Sequence, residues 1–162
     1  MNLETYNSAL YDAQTGKYYI FFHTRFAGAG ETFSVRVHEF YMNRDGWPVV
    51  SPMRYSGDSP VPLTEDRLAG VYKIVCHGRD VNRVEHASVC ISLNPDGTVA
   101  GEWSGTWAYG DDFSATLTID GVSYTGVFRM GYDARQNAWM PCGTAMSPDG
   151  ACVWLVQSTL DS

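Results

Sequence analysis

Among the residues whose types and spacing could do chemistry, the paired carboxylates come first. Asp111 and Asp112 follow Tyr109-Gly110. General acid–base work needs two carboxyls converging on one substrate, whereas adjacent residues point apart, so this pair reads as solvated loop charge. Asp96, Asp120 and Asp149 each precede a glycine in a turn, and Asx bonding to the local backbone accounts for them. His23 and His38 stand in strand-like runs with no nucleophile or carboxylate pair beside them. Sheet histidines hydrogen-bonded in place are the expectation. Arg25 and Arg36 are expected to meet acidic neighbours or carbonyls rather than a ligand. No catalytic residue and no metal ligand is therefore assigned.

Cys76, Cys90, Cys142 and Cys152 form no CxxC pair, which removes the usual zinc and dithiol readings. If the Ser147-Pro148-Asp149-Gly150 turn sets Ala145 opposite Cys152, Cys142 points to the other face. Buried free thiols are then expected rather than a bridge. Trp103, Trp107, Trp139 and Trp154 invite a carbohydrate reading, because sugar faces stack on indole rings. Trp103 and Trp107 alternate with Gly101 and Gly105, which favours filling a barrel. Trp139 follows the polar loop Asp133–Asn137 and is the first to test for exposure. The candidate carbohydrate-binding residues are thus Trp139, Trp103 and Trp107.

The elements that must position these side chains are strands. Turn signals recur at Asp12–Gly16, Asn43–Gly46, Asn94–Gly97, Asp120-Gly121 and Ser147–Gly150. The runs between them are rich in Val, Ile, Thr, Tyr, Phe and Trp and predict strands near 8–11, 18–24, 35–42, 47–50, 70–76, 87–93, 98–107, 114–119, 122–130, 138–146 and 152–157. Only Thr64–Leu68 reads as a helical turn. In the clearest hairpin, Asp120-Gly121 pairs Ile119 with Val122 and Leu117 with Tyr124. One face then carries Ala115, Leu117, Ile119, Tyr124 and Phe128. The other is polar except for Val127. The run Thr98–Trp107 reads as one strongly bent strand wrapped around a small barrel.

The chain has 162 residues, 44% of them hydrophobic, and a formal charge of −7. No Lys/Arg cluster meets the needs of a nucleic-acid backbone, and no apolar run approaches the roughly 18–20 residues of a membrane span. No basic stretch followed by an apolar core opens the chain, so no signal peptide is read there. The segment Ser56–Leu63, with Pro60 and Pro62, is the best boundary. It divides the chain into 1–57, a linker at 58–66, and 67–162. The first part has about four short strands, too little for one small sheet to be stable alone.

The stretches Thr5–Asp12, Gly16–Tyr19, Phe22–Phe26, Val35–His38 and above all Met42-Asn43-Arg44-Asp45-Gly46-Trp47-Pro48-Val49-Val50-Ser51-Pro52, then Arg54-Tyr55, resemble the last blade of a known family. That family is the five-bladed β-propeller endo-α-1,5-L-arabinanases of glycoside hydrolase family 43. The second half is similar to the C-terminal barrel of one branch of it, through Gly70–Ile74, His77–Asp80, Leu93–Val99 and Ile119–Phe128. The resemblance implies an all-β chain: a residual four-stranded blade-like sheet followed by a small antiparallel, lipocalin-like β-barrel. The family's inverting chemistry uses two Asp and a Glu on earlier blades, and nothing in this chain matches those motifs. Where the family has a metal-site His, this chain has Tyr6, a weak ligand for a divalent metal at neutral pH. No cofactor is expected, the family's divalent metal belonging to the complete propeller.

Three functional readings follow. The first is an accessory, non-catalytic section of an arabinan-degrading hydrolase, with arabinan or arabino-oligosaccharide as the partner of the whole and the missing blades as the partner of the sheet. It would be extracellular if part of a larger secreted enzyme. The second is a barrel module binding carbohydrate or another small ligand. The third is an interaction protein whose orphan blade pairs with a second copy.

Overall fold

The computed structural model describes residues 7–25, 32–80 and 86–159. Strands β1 (Ser8–Asp12), β2 (Lys17–Arg25), β3 (Phe33–Met42) and β4 (Pro48–Arg54) form one antiparallel sheet in chain order. A single 3-10 turn at Glu65–Arg67 then leads into the barrel. Its strands are β5 (Gly70–Gly78), β6 (Val89–Leu93), β7 (Thr98–Gly101), β8 (Gly105–Tyr109), β9 (Ser114–Ile119), β10 (Val122–Asp133), β11 (Ala138–Met146) and β12 (Cys152–Gln157). Each pairs with the next in antiparallel fashion, and β12 closes on β5. The fold is all-β, a four-stranded sheet and a closed up-and-down barrel, as the resemblance implies.

Turn chemistry drives the sheet. Asp12 accepts from the Gln14 amide at 2.9 Å and the Thr15 hydroxyl at 2.7 Å, reversing the chain between β1 and β2. Asn43 Oδ1 accepts from the amides of Asp45 and Trp47 at 3.0 and 2.9 Å, reversing it between β3 and β4. Cross-strand rings then lock the register, with Tyr18 lying 4.7 Å from Tyr11 and 5.2 Å from Phe40, centre to centre.

The 120–121 hairpin has the predicted register, Ile119 opposite Val122 and Leu117 opposite Tyr124. Its apolar face fills the barrel with Ala115, Leu117, Ile119, Tyr124 and Phe128. Tyr72 and Trp107 meet Phe128 at ring separations of 6.2 and 6.1 Å, so aromatic side chains occupy the lumen. Val127, the apolar exception on the outer face, is buried. It lies between Thr125 and Arg129, both of which touch the sheet.

Two expectations need correction. Residues 98–107 are not one bent strand but two, folded against each other with Thr98 opposite Thr106 and Val99 opposite Gly105. Gly101 and Gly105 sit at φ +121° and +157°, values open to glycine, and allow a reversal where alternation predicted a bend. Trp103 falls in that turn instead of sharing a strand face with Trp107. In the last hairpin the register is one residue away from that expected: Met146 lies opposite Cys152, and Ala145 opposite Val153. Cys142 and Cys152 therefore belong to the same nominal face, and they stay apart because Cys142 lies four positions further along, opposite Val156. All four cysteines are free, but only Cys142 is fully buried.

Close strand approach at Gly126 is required by packing: a Cβ there would lie 1.8 Å from the Thr144 carbonyl oxygen and 2.5 Å from the Ala145 Cα. Gly126→Ala should destabilise the chain by about 1–3 kcal/mol, the usual range for overpacking. Urea denaturation measures it, and an unchanged midpoint would contradict the close approach.

Candidate functional site

The side chains that could serve function gather where the sheet meets the barrel. Strand β4 lies across the outer wall made by β10, β11 and β12. Met53 of β4 seats over Gly131 of β10. A Cβ at Gly131 would fall 2.7 Å from Met53 Cγ and 2.9 Å from Cys142 Sγ. Cys142 is enclosed there, and burial pushes its thiol up to about 12, which makes it inert at neutral pH. Asn43 Nδ2 donates to the Thr125 carbonyl at 3.0 Å, so the residue that turns the sheet also ties it to β10. Arg129 completes this side: its guanidinium lies 5.0 Å from the centre of the Tyr41 ring and donates to Asp112 Oδ2 at 2.9 Å.

On the other side of β4, His38 is 6% exposed. Its Nδ1 lies 2.8 Å from the Ser51 carbonyl oxygen, so Nδ1 carries the proton and donates. The ring lies near-parallel to Trp154 of β12 at 6.2 Å and at 47° to Phe22 at 5.1 Å. Trp154 also receives His77 edge-on at 4.3 Å. Beside Trp154 a groove of about 400 Å³ opens between β4 and the wall of β5 and β12, floored by Pro52, Met53, Val75 and Val156.

The three tryptophans singled out as carbohydrate candidates do not converge. Trp107 is buried in the barrel, its Nε1 donating to the Asn94 carbonyl at 2.8 Å. Trp103 is partly buried against the same core from the β7–β8 turn. Trp139 is half-buried on the outside, edge-on to Tyr132 at 5.7 Å, and borders a crevice of about 20 Å³. Tyr6 lies outside the described residues, as does the Arg25 side chain. His23 packs on Phe33 at 5.8 Å, and Arg36 Nε donates to Thr24 Oγ1 at 3.2 Å. Asp96 accepts from Thr98 as a turn residue should, and Asp112, though exposed, is held by Arg129. No group of three or more His, Cys, Asp or Glu residues is gathered to hold a metal among the described residues.

Trp154, which lies beside the groove at β4, is not among the three tryptophans that the sequence singles out. A signal was present: Cys152–Gln157 is apolar on both faces, whereas a barrel strand facing water alternates. Such a strand needs a cover outside the barrel as well as a core inside it.

Fold and seam define a lipocalin-like barrel that carries a blade-like sheet on its outer wall. The chain belongs to the GH43_C family, the C-terminal lipocalin-like domain, matched over residues 52–155. It is 38% identical over 149 residues to the extracellular endo-α-(1→5)-L-arabinanase 2 of Bacillus subtilis, a match covering 92% of this chain and 32% of that protein. It is also 38% identical over 152 residues to the extracellular endo-α-(1→5)-L-arabinanase of Thermotoga petrophila, with the same coverage. Among solved structures, the family 43 glycoside hydrolase YxiA of Bacillus licheniformis superposes with a TM-score of 0.89 at 40% identity, over 95% of this chain and 35% of that one. The T. petrophila arabinanase gives 0.87 at 38% identity, over 94% and 34%. The chain thus spans about a third of the length of the curated relatives it matches.

The His38 environment sets a pH dependence. Burial lowers its pKa below the ordinary value, partly opposed by the Ser51 carbonyl. A histidine with a lowered native pKa binds fewer protons folded than unfolded. Its contribution is therefore whole above about pH 6.5 and declines as pH falls from there towards the native pKa. Each pKa unit of depression costs about 1.4 kcal/mol once both states are protonated. Glu39, whose pKa burial raises, acts in the opposite sense nearer the carboxylate range. The urea midpoint should therefore drop between pH 7.5 and 5.5, with His77, also lowered by burial, acting in the same sense, and His38→Gln should reduce that drop. An equal slope in the variant would remove His38 as its cause.

Proposed function

We propose that this chain serves as an accessory, non-catalytic section of an arabinan-degrading hydrolase, in which the sheet completes a β-propeller and the barrel buttresses it. The observation that carries the reading is the way the sheet is attached. β4 holds it to the barrel, and the far side of the sheet displays apolar side chains on both faces. Tyr11 is 54% exposed on one face, and Leu10, Phe33 and Val35 are 51%, 49% and 63% exposed on the other. A sheet with two apolar faces is a middle layer, and propeller blades stack in that manner. The relatives' arabinanase activity supports arabinan as the substrate of the whole, and their extracellular location supports the same for this chain.

In this reading the barrel contributes rigidity. Its lumen is filled, and its outer wall takes the edge of the blade through Met53, Asn43 and Arg129. The resemblance puts the hydrolytic carboxylates on earlier blades, so the purified chain should release no sugar from debranched arabinan in a reducing-end assay. Turnover above the blank would overturn the non-catalytic reading.

The same two apolar faces also suit a second copy of the chain. Size-exclusion chromatography coupled to light scattering distinguishes the two: a dimer mass supports self-association of the sheet, and a monomer mass counts against it.

A further inference from the structure

We propose that the groove between β4 and the wall of β5 and β12 is a binding site for a carboxylate-bearing oligosaccharide, with Trp154 as its platform and Lys73 and Arg135 as its carboxylate-binding groups. The site goes beyond the accessory role and does not depend on arabinan being the substrate of the whole.

The groove's volume of about 400 Å³ suits a short oligosaccharide, and ligand sites favour junctions between structural units. Its floor is an indole flanked by Val75, Val156 and Met53, an apolar surface of the kind on which the C–H face of a sugar ring packs. The polar rim decides the charge of the ligand. Asp133 is already occupied: Oδ1 accepts the Arg135 amide at 2.8 Å, and Oδ2 accepts Gln136 Nε2 at 2.7 Å. Gln136 is occupied in turn, its Nε2 donating to the Gln157 carbonyl at 3.0 Å and its Oε1 accepting from the Thr159 amide and hydroxyl at 2.9 and 3.0 Å. These bonds lock the β10–β11 loop onto the end of β12 and use the rim's amide, while the Asp133 carboxylate keeps its charge.

Two cations remain. Lys73 and Arg135 both border the groove, and neither makes an ion pair with a described residue. The rim thus carries two cations against the single carboxylate of Asp133, which Arg135 already attracts, and in a chain of net charge −7 this net positive edge is a local inversion of the overall charge. A purely apolar ligand would desolvate both cations without compensation, and a neutral sugar would offer them only uncharged hydroxyl acceptors. A carboxylate on a stacked sugar ring engages both, with the guanidinium in bidentate geometry.

Isothermal titration of the full chain with trigalacturonate, its methyl ester and arabinotriose tests this. Trigalacturonate should bind, and the two neutral probes should bind at least about tenfold more weakly, the size of one charge-assisted hydrogen bond. Raised salt should weaken the acidic ligand alone. Lys73 and Arg135 are exposed, so Lys73→Ala and Arg135→Ala should keep the native circular dichroism spectrum while each weakens trigalacturonate about tenfold. Absence of binding, equal affinity for all three probes, or indifference to both substitutions would each overturn the proposal. Tighter binding of arabinotriose would assign the groove to neutral sugar instead.

Discussion

Everything outside the barrel depends on one close approach, that of β4 to the outer wall at Gly131. With no side chain at that position, Met53 sits directly on β10 and encloses Cys142 beneath it. A sheet as small as β1–β4 lacks the buried area to hold itself together. Docked along the wall, it gains apolar contact through Met53, a buried amide bond through Asn43 and a ring–cation contact through Arg129. The seam is mixed in chemistry, which makes it specific in register: an apolar contact alone would tolerate sliding, whereas Asn43 must meet one carbonyl.

The same approach explains why the outer wall of β10–β12 departs from simple alternation. Val127, Cys142 and Trp154 all point away from the lumen, and each is covered by, or bears on, the sheet. The lumen has no room for a ligand because Tyr72, Trp107 and Phe128 fill it. Among the described residues, a groove opens where the sheet and the curved wall diverge, beside Trp154. Barrel curvature and the flatter sheet can match along one line, and the groove is the angle left beyond it.

Much of the fold was legible because it is local. Turns built on Asp12, Asn43 and Asp96 specify reversals through bonds spanning a few residues, and Asp120-Gly121 does so through positive φ at both positions. The 120–121 hairpin followed from a two-residue loop and strict alternation. Where prediction failed, the local signal was ambiguous. Gly101 and Gly105 serve a bend and a reversal equally well, so 98–107 read as one strand. The 147–150 turn leaves the register open by one residue, and the partner strand β5, with its irregularity opposite Cys152 and Val153, is far away in sequence. Alternation with glycine already places Trp107 inside the barrel, whereas only long-range pairing puts Trp154 on its outer wall against the sheet.

Strand content and the apolar filling of the barrel are written in short-range patterns of turn residues and alternation, and the family resemblance in particular residue stretches such as Met42–Pro52. The tertiary structure alone decided which wall the sheet docks on, which indole lies in a groove, and that Lys73 and Arg135 share its edge. Lys73 stands on β5 and Arg135 in the β10–β11 loop, and barrel closure, not spacing along the chain, brings them together. Closing a barrel pairs its first strand with its last, so the neighbours that matter most for a site are those most distant in sequence.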